Sequence, residues 1–357
     1  MLLGLSTEQY LLVGTLGVVG LLVLIGVIFV TVGLFKARSL LRREFSAYFL
    51  SPIAYVVLVL FLLVTGHLFY LTLEQLNASG PKGVEYPMQL MLGDERFWLV
   101  FLFIPPLLTM RLFAEERSTG TLEMLMTSPL KDWQVVLTKF VACFGFYVLL
   151  WVPTLAYLPV LLDLHLERAA LHPVWTTYSM LMLGGLAGVL LGLISLLIPF
   201  DSRGRVLGLL VLVAGAACAV VGGWLHYHRE AEHLAEWHVT AGIDPMPVVS
   251  SYLGIFLAGA MFLALGLWIS SLVRSQMVAA LISLVLSLVF IVTGFWRPDI
   301  DSGSHLYQVL YFFSVPLHFS KDFSRGLIDS RHLILYSSVA LFCLFLTVRS
   351  MESRRWR

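Results

Sequence analysis

Long apolar runs alternate along this chain with short polar connections. A bilayer-crossing helix needs about 20 mostly apolar residues. Nine segments fit that description: 10–35, 52–73, 97–111, 138–162, 178–200, 205–225, 247–273, 276–297 and 333–349. The third and the last are short, and the third reaches back toward Met88 only by taking in Asp94, Glu95 and Arg96. Pro105, Pro106 and Pro153 fall inside spans and predict kinks there. The fold expected is all-α, a polytopic membrane protein with about nine transmembrane helices.

Three further segments carry a different pattern. Residues 36–50 place Leu41, Phe45, Tyr48 and Phe49 on one helical face and Lys36, Arg42 and Arg43 on another, which predicts an interfacial amphipathic helix. Residues 113–137 form a loop rich in both charge signs, in which Thr121 is placed to cap a short helix ended by Pro129. Residues 298–332 hold an aromatic stretch, 307–323, expected to lie along the membrane surface.

Composition agrees with burial in lipid. The chain is 59% hydrophobic and 13% charged, against roughly 25% charged in soluble domains, too few charges to clothe a water-facing surface. Orientation follows from Lys and Arg. With the N-terminus outside, fifteen of the 23 basic residues but only seven of the 22 acidic ones fall on the cytoplasmic side, and the C-terminus is cytoplasmic. The first charge is Glu8 and the basic residues follow the first apolar run, so that run reads as an uncleaved anchor. Cys143, Cys218 and Cys343 all sit in apolar runs, which argues against a disulfide framework or a cysteine metal site.

Several chemistries are missing. No GxxxxGK[ST] phosphate loop occurs, so the chain does not cradle ATP phosphates by that device. No span carries Lys, Arg, Asp or Glu near its centre, as ion-coupled carriers usually do. His67 is the only histidine within a span, so paired haem ligands are absent. A transporter of this kind draws its energy from a separate ATPase. The charged loop suits such a partner: Glu115, Glu116, Arg117 and Glu123 flank an apolar set of Leu122, Met124, Leu125 and Met126. The same residues also read as an ordinary connection between two helices. His226, His228, His233 and His238, with Glu230 and Glu232, are candidate ligands for Zn²⁺ or Cu²⁺, but their spacing matches no established site and suits a solvated loop equally.

The stretch R-L-F-A-E-E-R-S-T-G-T-L-E-M-L-M-T-S-P at 111–129 resembles the signature loop of ABC-2 type permeases, as does R-E-F-S-A-Y-F-L-S-P-I-A-Y-V-V at 43–57. D-F-S-R-G-L-I-D at 322–329, F-L-T-V-R-S-M-E-S-R-R-W at 345–356 and the block 252–276 resemble the gliding-motility-associated subfamily. The resemblance implies a core of six helices, dimeric halves and an ABC ATPase on another chain that binds ATP and Mg²⁺. It implies no cofactor and no catalytic residue in this chain. It assigns ATPase coupling to Arg111, Glu115, Glu116, Arg117, Gly120, Thr121, Leu122, Glu123 and Pro129, beside an interfacial helix carrying Arg42, Arg43, Glu44 and Phe45.

Two departures mark this chain: an added N-terminal helix, 1–35, and an insert, 163–242, of two further spans ending in the histidine-rich outer loop. The organisation expected is therefore helix 1–35, interfacial helix 36–51, first half-core 52–162 with coupling loop 111–133, insert 163–242 and second half-core 243–357. Expected partners are the ATPase, a second permease copy or a related permease, an extracytoplasmic accessory protein and membrane lipids, with no nucleic acid. The expected location is the inner membrane. A membrane component of an envelope or motility assembly machine, moving no solute, is the alternative reading.

Overall fold

The computed structural model describes residues 33, 36–79, 87–122, 130–157, 164–167, 170–173, 181, 184–185, 188–189, 192, 208–222, 245–295, 309 and 311–355. Nearly all of the expected spans 10–35 and 178–200, Glu123 to Pro129 of the loop, and His226, His228, His233 and His238 lie outside them. Among the described residues the helices are α1 Arg38–Leu50, α2 Pro52–Ser79, α3 Pro87–Leu92, α4 Glu95–Phe101, α5 Ile104–Thr109, α6 Ala114–Ser118 and α7 Asp132–Trp151. There follow α8 Gly208–Gly222, α9 Pro245–Leu272, α10 Gln276–Phe295, α11 Val315–Lys321 and α12 Ser330–Arg355. The protein is all-α and polytopic. Its one strand pairing among these residues is a short antiparallel hairpin, Leu164–Glu167 with Ala170–Pro173.

Five of the described helices are long and apolar enough to cross a membrane: Pro52–Gln75, Asp132–Ala156, Met246–Leu272, Gln276–Thr293 and Ser330–Ser353. They are not equivalent. In α9, 72% of the apolar window is buried inside the protein, against 22–28% in α2, α10 and α12. α9 is thus the hub, α7 is 56% buried, and α2, α10 and α12 turn most of their surface outward. α9 packs against α12, α10, α5 and α7, while α1 lies along α7. The shorter α8 sits within the insert, where a Cβ on Gly188 would come within 3.0 Å of the Cα of Gly215. Small residues allow such close helix contact in lipid.

The expected span 97–111 is covered by two short helices, α4 and α5, and α3 precedes them across a break at residues 93–94. The break has a polar cause. Asp94 is the N-cap of α4, its carboxylate accepting the backbone N–H of Arg96 at 2.7 Å. Ending α3 there frees carbonyls that need donors in an apolar setting. The buried indole of Trp98 donates to the Leu92 carbonyl at 2.8 Å. Farther on, α5 starts at the Pro105–Pro106 pair, and the Tyr48 hydroxyl donates to the Leu108 carbonyl at 3.1 Å. The kink expected at Pro153 is likewise a break: α7 stops at Trp151 and a 3₁₀ turn covers Pro153–Ala156.

The aromatic stretch 307–323 does not simply lie along a surface. Val309, Phe312 and Phe313 are exposed, but Val315, Phe319 and Phe323 are fully buried. Phe319 packs on Trp98 at 4.8 Å, and Phe323 turns its carbonyl to the Ser250 hydroxyl of α9. A buried polar cluster joins this region to α12. His318 Nε2 donates to the Tyr311 carbonyl at 2.7 Å, and in the neutral ring Nδ1 then accepts from the Tyr336 hydroxyl at 2.8 Å. Burial, with the His332 ring stacked at 3.7 Å, pushes His318 down to about 3. Asp322 takes hydrogen bonds from Tyr311 and from His332 Nε2 at 2.9 Å.

Candidate functional site

The amphipathic pattern of α1 is realised as a helix with two faces. Phe45 and Tyr48 are buried and Leu41 and Phe49 half-buried, while Lys36 and Arg43 are exposed. Its apolar face docks on α7, where Tyr48 stacks on Phe146 at 4.9 Å and Phe49 meets the same ring edge-on. Arg111, just beyond the end of α5, lays its guanidinium over the Tyr48 ring at 4.7 Å. This stack brings the interfacial helix against the start of the charged loop.

The loop itself begins with α6, a five-residue helix whose orphan N–H groups need an acceptor. None of its own residues supplies one. The Ser270 hydroxyl of α9 does, accepting the N–H groups of Phe113 and Ala114 at 3.1 Å each and lying 3.2 Å from the Met110 carbonyl. One turn along, Arg117 Nη1 donates to the Ser271 carbonyl at 3.0 Å. The short helix is therefore tied to the end of the hub span by neutral acceptors.

Its opposite side is tied by charge. Lys139 of α7, only 1% exposed, places Nζ 2.8 Å from Glu116 Oε1 and 3.1 Å from Glu44 Oε2. Arg43 closes the cluster from the rim, 2.8 Å from Glu44 and 3.5 Å from Glu116. Lys139 also stands 5.3 Å from the centre of the Phe113 ring. Burial raises the Glu116 carboxyl above the ordinary glutamate range, against the opposing pull of Lys139. Its second oxygen, Oε2, is sealed from solvent without a hydrogen-bond partner among the described residues.

A cleft of about 600 Å³ opens between α1 and this loop, lined among others by Glu44, Tyr48, Arg111, Glu115, Glu116 and Lys139. The expected coupling residues divide into two groups around it. Glu115, Gly120 and Thr121 are exposed and form the tip, together with Ser118 and Thr119, which the sequence did not single out. Glu116 and Arg117 are spent on internal ties, and Leu122 is buried. Gly120 has φ +74, a left-handed turn that only glycine adopts freely, and open space around it. Thr119 and Thr121 hydroxyls meet at 2.9 Å across that turn. Arg111 belongs to the wall, Phe45 is buried against α7 beside Gly145, and Arg43 and Glu44 belong to the ion cluster; Arg42 is half-buried and makes contacts of its own. The helix expected after Thr121, with Glu123 and Pro129, lies outside the described residues.

Two structural residues escaped the sequence reading. Lys139 counts there only as a cytoplasmic charge, although its position inside an apolar run is a signal of burial. Ser270 has no local signal, since its partners lie more than 150 residues away.

Residues 89–320 match the family described as ABC-2 family transporter protein. The chain belongs to that family. No curated protein and no solved structure matches it. The matched stretch includes α6, α7, α9 and α10, so Ser270, Lys139, Glu116 and the tip fall inside it, while α1 and α12 flank it. This ABC-2 transporter protein is a multi-pass membrane subunit, and its family implies an ABC ATPase partner in general.

Proposed function

We propose that the chain is the membrane-spanning subunit of an ABC-2 exporter of the inner membrane, driven by a separate ABC ATPase that docks on the tip formed by Glu115 and residues 118–121. In this reading two permease copies, or this chain and a related one, form the pathway. The N-terminus lies outside and the C-terminus in the cytoplasm. ATP and Mg²⁺ are bound by the ATPase. Closure of the ATPase pushes on the tip, and the permease halves rearrange to release substrate outward.

One observation carries the reading: an exposed, glycine-turned tip stands on a short helix that is fastened on both sides, to α9 through Ser270 and to α1 and α7 through Lys139. A loop that only joins two spans needs no such fastening. The absence of a phosphate loop from the whole sequence and the asymmetry of Lys and Arg support the same assignment.

Thr119→Cys tests it. An impermeant thiol reagent is expected to label this variant in inside-out vesicles and not in intact cells. The cognate ABC ATPase is expected to co-purify with the wild type and to be retained about tenfold less, a loss of about 1.4 kcal/mol, by Glu115→Lys. Labelling from the cell exterior, or no association with the wild type, overturns the reading.

A further inference from the structure

α6 and α7 are separated by residues 119–131, so chain connectivity alone does not set their relation. Nor does it join α6 to α1, which ends more than 60 residues earlier. The side chain common to all three is that of Lys139. Its ammonium is enclosed, and each of its two carboxylate partners comes from a different helix. Burying an ammonium is costly unless charge and hydrogen bonds compensate it closely. Two carboxylates facing the same small space repel each other unless a cation stands between them. Arg43 bridges the same two carboxylates from the exposed rim, but only Lys139 reaches them from α7 in the buried interior, and through it α1, α6 and α7 are held together.

We propose that Lys139 is the positioning residue that makes the interfacial helix, the coupling helix and the span Asp132–Ala156 one lever. The proposal rests on the tip being the ATPase contact. Displacement of the tip then reaches α7 through the ion cluster, and α9 through Ser270 and Arg117. The two routes differ in kind. The α9 route consists of hydrogen bonds to a hydroxyl and a carbonyl, whereas the α7 route is ionic and runs through the one cation that α7 contributes, Lys139. The residue touches neither substrate nor nucleotide; it acts by fixing the distance between α1 and the tip across the cleft.

Ala47 of α1 and Thr119 of the tip both line that cleft and report this distance. Spin labels at these positions, in the full-length chain in lipid nanodiscs, are expected to give one narrow distance distribution. The neutral triple Glu44→Gln/Glu116→Gln/Lys139→Met removes all three charges together, which leaves no lone charge buried. It is expected to broaden the distribution at least twofold. It should keep ATPase co-purification within about twofold of wild type, and should lose at least tenfold in the change that ATP produces in the distance. Lys139→Arg, which retains the cation, is expected to restore the narrow distribution. Glu116→Gln alone leaves Lys139 paired with Glu44 and is expected to broaden it only slightly; this variant and Lys139→Arg decide the matter if the triple does not fold. A triple indistinguishable from wild type, or a Lys139→Arg as broad as the triple, overturns the role of Lys139. Failure of the wild type to retain the ATPase sinks the docking assignment instead, and the label distance in the isolated chain still judges the lever.

Discussion

The hydroxyl of Ser270 stands 3.1 Å from the backbone nitrogen of Ala114 and performs for α6 the service that a helix usually obtains from its own N-cap residue. The acceptor comes from the far end of another membrane span. Formation of α6 thus depends on correct packing of α9, and its five residues have no comparable source of stability by themselves.

Replacing Ser270 by alanine leaves two buried N–H groups without an acceptor. The cost expected is about 1–3 kcal/mol. It should appear as a lower unfolding midpoint of the purified protein and as faster proteolysis within residues 113–122. Ser270→Thr, which keeps the hydroxyl, should restore most of the loss. An alanine variant with unchanged midpoint and unchanged proteolysis would remove the capping role.

The buried histidine cluster makes stability depend on pH. Free imidazole titrates near about 6.5, whereas His318 in the fold is held at about 3 by burial and by the adjoining His332. Between those values the unfolded chain binds the proton and the folded chain does not. Stability from this group is therefore complete above about pH 6.5 and drains away as the pH falls toward 3. The unfolding midpoint is expected to fall on acidification through that window, and to fall less steeply in His318→Gln. Equal slopes would assign the acid sensitivity elsewhere.

At the break between α3 and α4, Trp98 provides both packing and a hydrogen bond. Trp98→Phe keeps most of the aromatic volume and removes the donor to the Leu92 carbonyl. The expected loss is about 1–3 kcal/mol, with hydrogen exchange rising first at residues 92–96. Exchange confined to other segments would show that the bond does not hold the break.

The spans read well from length and apolar content, because lipid imposes one requirement on every residue of a crossing helix. Helices α2, α9 and α10 begin and end within a few residues of their expected limits, save that α2 runs on to Ser79. α12 is longer than 333–349 because His332 pairs with Asp322 at one end and Arg349 with Glu352 at the other, so polar residues are accommodated inside the helix. The faces of α1 were legible for the same reason: Phe45 and Tyr48 recur at helical spacing opposite Arg43. At the third span, Asp94, Glu95 and Arg96 marked the polar interruption before Phe97, but not that Asp94 caps α4 there. The candidate site was half legible. Its exposed tip follows from Gly120 and the surrounding polar residues, but which charges face inward depends on Lys139 and Ser270, and such pairings across the fold leave no trace in local pattern.

Because α9 shows so little of its surface to lipid, it acts as an axle. A helix in contact with lipid adjusts its tilt when bilayer thickness changes, and α2, α10 and α12 are free to do so. The enclosed helix is not. Thicker or thinner membranes therefore twist the outer helices against a fixed centre, and the strain falls at the end of α9, where Ser270 and Ser271 hold α6. Acyl-chain length thus bears on the same end of α9 that anchors α6 and the exposed tip.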